Sequence, residues 1–301
     1  MGKIGKTTFA SQMPGALILA FERGYNALPG VYAVDVTSWS EMKKVLRDLK
    51  KPEIQEKFKS IIVDTIDIAA AACEKYIISQ AGVDTLNQIP YGQGWTRVKR
   101  EMEDAFRTVT QLGYAVLFIS HDKDKTFTRQ DGTQFNQTVP TLGNSYNEII
   151  KDMVDIYGYA HTVTKDGEYQ RVLTLRSTDN TIDCGSRFRY MAPEIPFSYS
   201  SLVKTLNEAI DEEAKHTGEE FTTSERIEFK VEELDFDALM KEFGDMVKEW
   251  EKDKDKMKTY YAPRIQEAVE EVFGKGKKIT QATRDQVELV ATVVDKLKEL
   301  A

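Results

Sequence analysis

The segment Gly2-Lys3-Ile4-Gly5-Lys6-Thr7-Thr8 matches the second half of the phosphate-binding loop, whose full pattern is G-x-x-x-x-G-K-[ST]. If the pattern ends at Gly5, Lys6 and Thr7, its first glycine falls one residue before Met1. We therefore expect a nucleotide-binding chain, truncated at its N-terminus, that lacks the strand leading into this loop.

A phosphate-binding loop turns successive backbone N–H groups towards the β-phosphate, and the helix that follows adds its positive end. In this chain Lys6 is expected to reach the β- and γ-phosphates, and the hydroxyl of Thr7 to bind Mg²⁺. The expected cofactors are ATP and Mg²⁺. The alternative is a Gly/Lys-rich terminus without a role. The residues expected to bind the nucleotide are Gly2, Lys3, Ile4, Gly5, Lys6, Thr7 and Thr8.

Apolar runs alternate with amphipathic segments over the first part of the chain. The runs at 16–21, 31–36, 60–64 and 114–120 have the form of strands, and the segments 38–50, 66–81 and 95–112 that of helices. Strands and helices in alternation predict an α/β fold, with a mostly parallel sheet flanked by helices on both faces. The polar stretch 122–147 is predicted to be a long loop or a small hairpin, and 154–160 with 171–176 a second hairpin.

Two of the predicted strands end in an acidic residue. Asp64 follows Ile61-Ile62-Val63 in the form of a Walker B strand and is expected to hold Mg²⁺ through water. Glu22 follows the run 16–21 and is expected to polarise a water molecule as a general base. Strands ending in aspartate are common, and Glu22 could also be a solvated acid in a turn.

The excess negative charge lies in the last ninety residues. The net charge is −8, and residues 211–301 carry 24 acidic and 16 basic side chains, whereas residues 1–210 carry 25 of each. We predict a core over 1–210 that lacks its first strand, an acidic linker over 211–234 and a helical acidic tail over 235–301. Within the tail, Thr283 and Gln286 form a capping-box pattern before a final helix.

Residues 1 to about 210 resemble the RecA-like ATPases of bacteriophages, the nucleotide-binding and single-strand-annealing group related to the recombinases. The resemblance is carried by G-K-I-G-K-T-T-F-A-S from Gly2, A-L-I-L-A-F-E-R-G-Y-N-A-L from Ala16, S-I-I-V-D-T from Ser60 and A-V-L-F-I-S-H from Ala115. It implies a P-loop NTPase fold of RecA type. It also assigns the catalytic-base role to Glu22 and a γ-phosphate sensor role to His121.

The resemblance further implies assembly of several copies in a ring or filament. It also implies a cation supplied by a neighbouring subunit, for which Arg176, Arg187 and Arg189 are candidates that the sequence does not separate. His121 could equally be a strand-end histidine bonded to a loop. The acidic tail could dock a protein partner, compete for a basic groove, or only increase solubility.

Aromatic and basic residues are interleaved in two segments expected at the ligand edge of the sheet. This combination suits single-stranded DNA, because bases stack on aromatic rings and cations follow the phosphates. The alternative is that Trp95 is a core anchor and the basic residues a solvated face. The DNA candidates are Tyr91, Trp95, Arg97, Lys99 and Arg100 in the first segment, and Lys123, Lys125 and Arg129 in the second.

The sequence therefore predicts Mg²⁺-dependent ATP hydrolysis coupled to binding or annealing of single-stranded DNA in phage recombination or replication. Lys6, Glu22 and His121 are the expected catalytic residues, and Thr7 and Asp64 the metal ligands. One alternative is an ATP-gated binding or scaffold protein, and another is a small-molecule kinase. No apolar run is long enough to span a membrane, which predicts a cytoplasmic location in a bacterial host cell.

Overall fold

The computed structural model describes residues 4–165, 167–177, 181–218 and 234–298. The chain divides into two compact units, Met1–Phe221 and Thr222–Ala301. Gly2 and Lys3, expected to bind the nucleotide, lie outside the described residues, as does most of the predicted linker.

The first unit contains all the strands and seven of the α-helices that the structure describes. The strands are β1 Ala16–Ala20, β2 Tyr32–Asp35, β3 Ser60–Asp64, β4 Ala115–Ile119, β5 Asp122–Thr128, β6 Gln134–Pro140, β7 Ile156–Tyr157, β8 Tyr159–Lys165, β9 Glu168–Thr174, β10 Gly185–Ser186 and β11 Glu194–Pro196. The helices are α1 Lys6–Ala10, α2 Trp39–Asp48, α3 Pro52–Lys57, α4 Ile66–Ala81, α5 Gln93–Gln111, α6 Asn144–Met153 and α7 Tyr199–Thr217.

Four parallel strands form the central sheet in the order β2-β1-β3-β4. Ile61, Ile62 and Val63 of β3 are fully buried, as expected for a strand covered on both faces of a parallel sheet. The register aligns Ala20, Asp64 and Ile119, so the chain leaves β1, β3 and β4 at one common edge. The predicted α/β architecture with a parallel sheet is confirmed.

Helices α2, α4 and α5 supply most of the core on one face of this sheet. Trp39 is buried at the start of α2, and its indole N–H donates to Glu101 of α5 at 2.9 Å. The Ser38 hydroxyl accepts a hydrogen bond from the Glu41 N–H, so Ser38 caps α2. Helix α4 ends at Gly82, whose φ of 64° is a conformation that glycine adopts without strain.

The predicted loop or hairpin over 122–147 is a hairpin of β5 and β6, followed at once by α6. The sequence did not predict α6, because Pro140 and Gly143 suggested irregular structure up to 147. Strands β8 and β9 form the second predicted hairpin, but over 159–165 and 168–174 instead of the predicted 154–160 and 171–176. Strand β11 pairs on the other side of β9. This antiparallel sheet packs around Leu173, Leu175 and Ile195.

The core does not end near residue 210. Helix α7 continues to Thr217 and ends at Gly218, whose φ is 71°. Residues 211–217, predicted to begin the linker, therefore belong to a helix. Ala209 on α7 is buried, and the acidic residues that follow lie on further turns of the same helix.

The second unit is helical over its described residues. Its helices are α8 Phe236–Trp250, α9 Lys254–Lys256, α10 Ala262–Phe273 and α11 Val287–Lys298. Trp250 and Tyr261 stack with ring centroids 4.5 Å apart, and Val290, Val294 and Leu297 of α11 are fully buried. The capping box of Thr283 and Gln286 is present before α11.

Candidate functional site

Glu22, Asp64 and His121 meet at the carboxyl edge of the central sheet, where ligands bind in open α/β folds. The backbone N–H groups of Phe21 and Glu22 both donate to the Asp64 carbonyl, at 2.8 and 2.9 Å. These bonds hold the segment after β1 beside the end of β3. Glu22, Asp64 and His121 are far apart in the sequence, but they lie close together because the parallel strands before them end at the same level of the sheet.

The loop residues reach the same edge. Gly5 has a φ of 101°, a left-handed conformation that favours glycine, and α1 begins at the next residue. The Lys6 Nζ donates to the Ser120 carbonyl at 2.8 Å, and the Thr7 hydroxyl donates to the Asp64 carboxylate at 2.7 Å. Lys6 and Thr7 are therefore placed next to Asp64, the residue for which the sequence predicts the Walker B role.

The Asp64 carboxyl is buried, with 4% of the residue exposed. Burial raises the pKa of Asp64 above its usual range, and the hydrogen bond from Thr7 opposes this rise; the nearby Glu22 raises the pKa further. Gly24 lies against the pair, since a Cβ added there would come 3.2 Å from the Thr7 hydroxyl oxygen. A cation close to Asp64 would offset the unfavourable burial of its charge.

Glu22 and His121 form a contact across the mouth of the site. The His121 Nε2 lies 3.0 Å from the Glu22 carboxylate, and both side chains are nearly half exposed, at 41% and 48%. A carboxylate in this position is accessible to water and is oriented by the imidazole ring. The two residues to which the sequence assigned the base and sensor roles are in direct contact.

Asp67 was missed by the sequence analysis. Its carboxylate accepts hydrogen bonds from the Ser120 hydroxyl at 2.8 Å, from the His121 backbone N–H at 3.1 Å and from the Thr141 hydroxyl. It thereby fixes the end of β4 and the end of β6 to the first turn of α4. The signal available in the sequence was a second acid three positions after Asp64.

Arg171 on β9 was also missed. Its Nη1 donates to the Ile4 carbonyl at 3.1 Å and lies next to Gly5. The sequence analysis names three arginines as candidates for a cation that reaches the site of a neighbouring subunit. In this chain Arg176 donates a hydrogen bond to the Phe188 carbonyl, Arg187 forms an ion pair with Asp155, and Arg189 lies over the Tyr190 ring. Arg171 thus contacts the loop of its own chain.

The first group of DNA candidates lies at the start of α5. Tyr91 is 97% exposed, and Arg97 and Arg100 are exposed. Trp95 is 43% exposed, so it is not the buried anchor considered as an alternative. Lys99 lies 4.0 Å from Glu148, which pairs part of its charge within the chain.

The second group lies on one face of the β5–β6 hairpin, because alternate residues of a strand point to the same side. Lys125 lies over the Phe127 ring at 4.9 Å, Arg129 lies over the Phe135 ring at 4.6 Å, and the two rings stack 5.7 Å apart. Lys123 donates to the Thr141 carbonyl at 3.2 Å. The hairpin starts directly after His121, so this basic and aromatic face is joined to the site.

Over the ranges that the structure describes, no three His, Cys, Asp or Glu side chains cluster so as to hold a metal ion by themselves. Thr7 and Asp64 nevertheless present a hydroxyl and a carboxylate oxygen 2.7 Å apart, the hard oxygen ligands that Mg²⁺ prefers. Such a pair leaves the remaining positions of an octahedral ion to water and phosphate oxygens. The donor set therefore fits Mg²⁺ bound together with a nucleotide.

Comparison with known proteins agrees with this geometry. The AAA domain family matches residues 1–188. The chain belongs to the AAA domain family. As a P-loop NTPase of this family it has an α/β fold suited to nucleotide binding. It is also 29% identical to an uncharacterized protein derived from the SPbeta prophage of Bacillus subtilis (strain 168), YorG, over 99% of this chain and 90% of that protein.

The AAA domain match ends within the first unit, before α7. Among the residues that the structure describes, no helix is both long enough and apolar enough to cross a bilayer.

Proposed function

We propose that the protein binds ATP with Mg²⁺ and hydrolyses it at the edge formed by β1, β3 and β4. The observation that carries the proposal is the 2.7 Å contact between Thr7 of the loop and Asp64 of the Walker B strand, next to the Glu22–His121 pair. These residues combine the groups that phosphoryl transfer to water requires: one that binds phosphate, two that bind the metal and one that activates the water.

Each residue has a separate task in the proposed reaction. Lys6 leaves the Ser120 carbonyl and neutralises charge on the β- and γ-phosphates. Glu22 accepts a proton from the attacking water, and His121 orients the Glu22 carboxylate and responds to the γ-phosphate. Mg²⁺, held by Thr7 and Asp64, supplies charge stabilisation to the phosphate oxygens when bound.

Two substitutions test the assignment. We expect Lys6→Ala to weaken ATP binding by at least about tenfold, because one charge-assisted contact to phosphate is lost. Glu22→Gln should keep ATP binding and lower turnover by about 10²-fold or more, because the general base is removed. Fluorescent-nucleotide titration and phosphate release measure the two effects.

Lys44→Ala and Glu53→Gln are matched controls on exposed helical positions of the same unit, and neither should change binding or turnover. Unchanged ATP binding in Lys6→Ala would contradict the nucleotide site itself. ATP binding with no turnover in the unmodified protein would favour the ATP-gated scaffold. Turnover that requires a small-molecule acceptor would favour the kinase.

We further propose that the hairpin binds single-stranded DNA. Its support is the sorting of side chains between two faces: Lys123, Lys125, Phe127 and Arg129 share one face with Phe135, whereas Asp122 and Asp124 lie on the other. The aromatic pair offers a stacking surface, and the cations can follow the phosphates. Since Thr141 binds both the His121 carbonyl and Asp67, the base of the hairpin is tied to the γ-phosphate side of the site.

The hairpin is tested by Phe127→Ala, with Thr128→Ala on the opposite face as its control. Loss of a stacked base costs about 1–3 kcal/mol, so the affinity for oligothymidine should fall roughly 5- to 150-fold in Phe127→Ala alone. Lys125→Ala should reduce the slope of log affinity against log salt concentration by about one, because one contact with a phosphate is lost. Equal affinities of Phe127→Ala and Thr128→Ala would remove the hairpin from the proposal.

The proposal extends to a RecA-type assembly of several copies in phage recombination or replication, with the acidic second unit docking a protein partner. The prophage origin of the YorG relative supports the phage setting. The negative charge of residues 211–301 supports a role apart from nucleic-acid contact, since like charges repel the phosphate backbone.

A further inference from the structure

Ser120 and His121 form a joint between the central sheet and the β5–β6 hairpin. Strand β4 ends just before Ser120 and β5 begins just after His121, so the two residues belong to neither strand. They nevertheless carry two contacts of the candidate site. The Ser120 carbonyl accepts a hydrogen bond from Lys6, and the His121 ring contacts Glu22. The conformation of this joint therefore decides where the His121 ring lies.

The Asp67 carboxylate holds the joint from the side of α4. Its Oδ2 accepts the His121 backbone N–H at 3.1 Å, and its Oδ1 accepts the hydroxyls of Ser120 and Thr141. Asp67 lies in the first turn of α4, where the helix N-terminus favours a negative charge. All three donors are neutral groups. The two oxygens of Asp67 thus serve to fix the geometry of the joint and of the hairpin base.

Thr141, the residue after β6, holds the joint from the side of the hairpin. Its backbone N–H donates to the His121 carbonyl at 2.9 Å, and its hydroxyl donates to Asp67. Both backbone polar groups of His121 are therefore paired, the N–H with Asp67 and the carbonyl with Thr141. Because these two bonds lie on either side of the His121 Cα, they restrain both backbone dihedral angles of this residue. They thereby fix the direction in which its imidazole ring points.

We propose that Asp67 is a positioning residue of the candidate site, which keeps the His121 ring against Glu22, and that Thr141 acts with it as one unit. Its effect on turnover rests on the proposed function, whereas the contact between the ring and Glu22 does not depend on a nucleotide. The role requires the hydrogen bonds of the Asp67 side chain and not its charge, because every donor is neutral. In this respect Asp67 differs from Asp64, whose charge serves the metal.

The first test compares Asp67→Ala with Asp67→Asn. Asp67→Ala removes all three bonds, and we expect kcat to fall about tenfold or more, since a misplacement of about 1 Å can cost 10²-fold. The Kd for ATP should change by less than about twofold, because Lys6 and Thr7 are untouched. Asp67→Asn should recover most of kcat. Its amide oxygen can accept the His121 N–H, and the rotating hydroxyls can accept from its NH₂ group.

Thr141 supplies a second pair of variants. Valine has the shape of threonine without the hydroxyl, so Thr141→Val should lower kcat about threefold or more, whereas Thr141→Ser keeps the hydroxyl and should retain kcat. If the two residues act as one unit, Asp67→Ala combined with Thr141→Val loses no more than Asp67→Ala alone. Asp104→Asn, at an exposed position of α5, is the control and should change neither kcat nor Kd.

NMR of the histidine side chains measures the ring contact directly, without nucleotide. The chain has three histidines, and the signal that disappears in His121→Asn assigns the ring. Glu22→Gln should shift this signal, because the ring lies 3.0 Å from the Glu22 carboxylate. In the Asp67→Ala background the same substitution should shift it by less than about half as much, since the contact is loosened. Thr141→Val provides the same comparison should Asp67→Ala not fold.

An equal shift of the His121 signal with and without the Asp67 or Thr141 substitution would overturn the proposal. It would also be overturned if Asp67→Asn lost as much kcat as Asp67→Ala, since the charge itself would then be required. A weaker Kd for ATP with unchanged kcat would likewise overturn it. If the unmodified protein hydrolyses no ATP but Asp67→Ala still abolishes the shift, the positioning role stands and the proposed function fails.

Discussion

The Asp64 carboxyl combines a raised pKa with a position that the proposed reaction requires to be charged. Because burial favours its protonated form in the folded state, the ionised group lowers the free energy of unfolding at neutral pH. Below the unfolded-state pKa of about 3.9 the folded and unfolded chains are both protonated, and this cost disappears. The ionised Asp64 carboxyl therefore reduces the free energy of unfolding at neutral pH, and a bound cation would offset this reduction.

We predict that Asp64→Asn unfolds at a higher temperature than the unmodified protein at pH 7, and that this gain decreases as the pH falls towards about 4. The variant should lose Mg²⁺-dependent ATP turnover. Asp48→Asn is the control, since the Asp48 side chain is exposed and Lys51 lowers its pKa. A lower unfolding temperature for Asp64→Asn at pH 7 would mean that the bond from Thr7 outweighs the burial of the charge.

At the level of single residues, the sequence predicted the groups that local patterns mark. Lys6 and Thr7 belong to a motif, and Glu22, Asp64 and His121 each follow an apolar strand, so their meeting at one sheet edge follows from parallel pairing. Asp67 and Arg171 carry no such mark. Their partners Thr141 and Ile4 lie 74 and 167 positions away, and contacts of that kind depend on the packed fold.

Helix α2 offers a prediction for a single element. Ser38→Ala removes the hydroxyl that accepts the Glu41 N–H, and we expect a loss of about 1 kcal/mol in the free energy of unfolding. Ser40→Ala is the matched control, because Ser40 lies exposed inside the same helix and alanine is the better helix former there. Denaturant titration followed by tryptophan fluorescence, to which Trp39 at the start of α2 contributes, measures both. Equal destabilisation of the two variants would contradict the cap.

Helices and strands were predicted well where the hydrophobic periodicity and the residues at the boundaries indicate the same element. Strand β3 is one example, and α4, which is followed by Gly82, is another. Helix α6 was missed although Tyr146 and Ile150 are buried one turn apart, because the breakers before it dominated the local pattern. The strand order β2-β1-β3-β4 could not be predicted, since alternation of strands and helices does not determine which strands are neighbours in the sheet.

At the scale of the molecule, the two units have separate apolar cores, one around the central sheet and its neighbouring layers and one around Trp250 and α11. We therefore predict two transitions in calorimetry of the whole chain, each moved by its own core variant. Val294→Ala should cost about 2 kcal/mol and lower the transition of the second unit by about 10 °C. Ile62→Val should cost about 1 kcal/mol and lower the other transition by about 3 °C. A single transition shifted by both variants would show that the two units unfold together, and it would contradict the proposal that the second unit is an independent docking module.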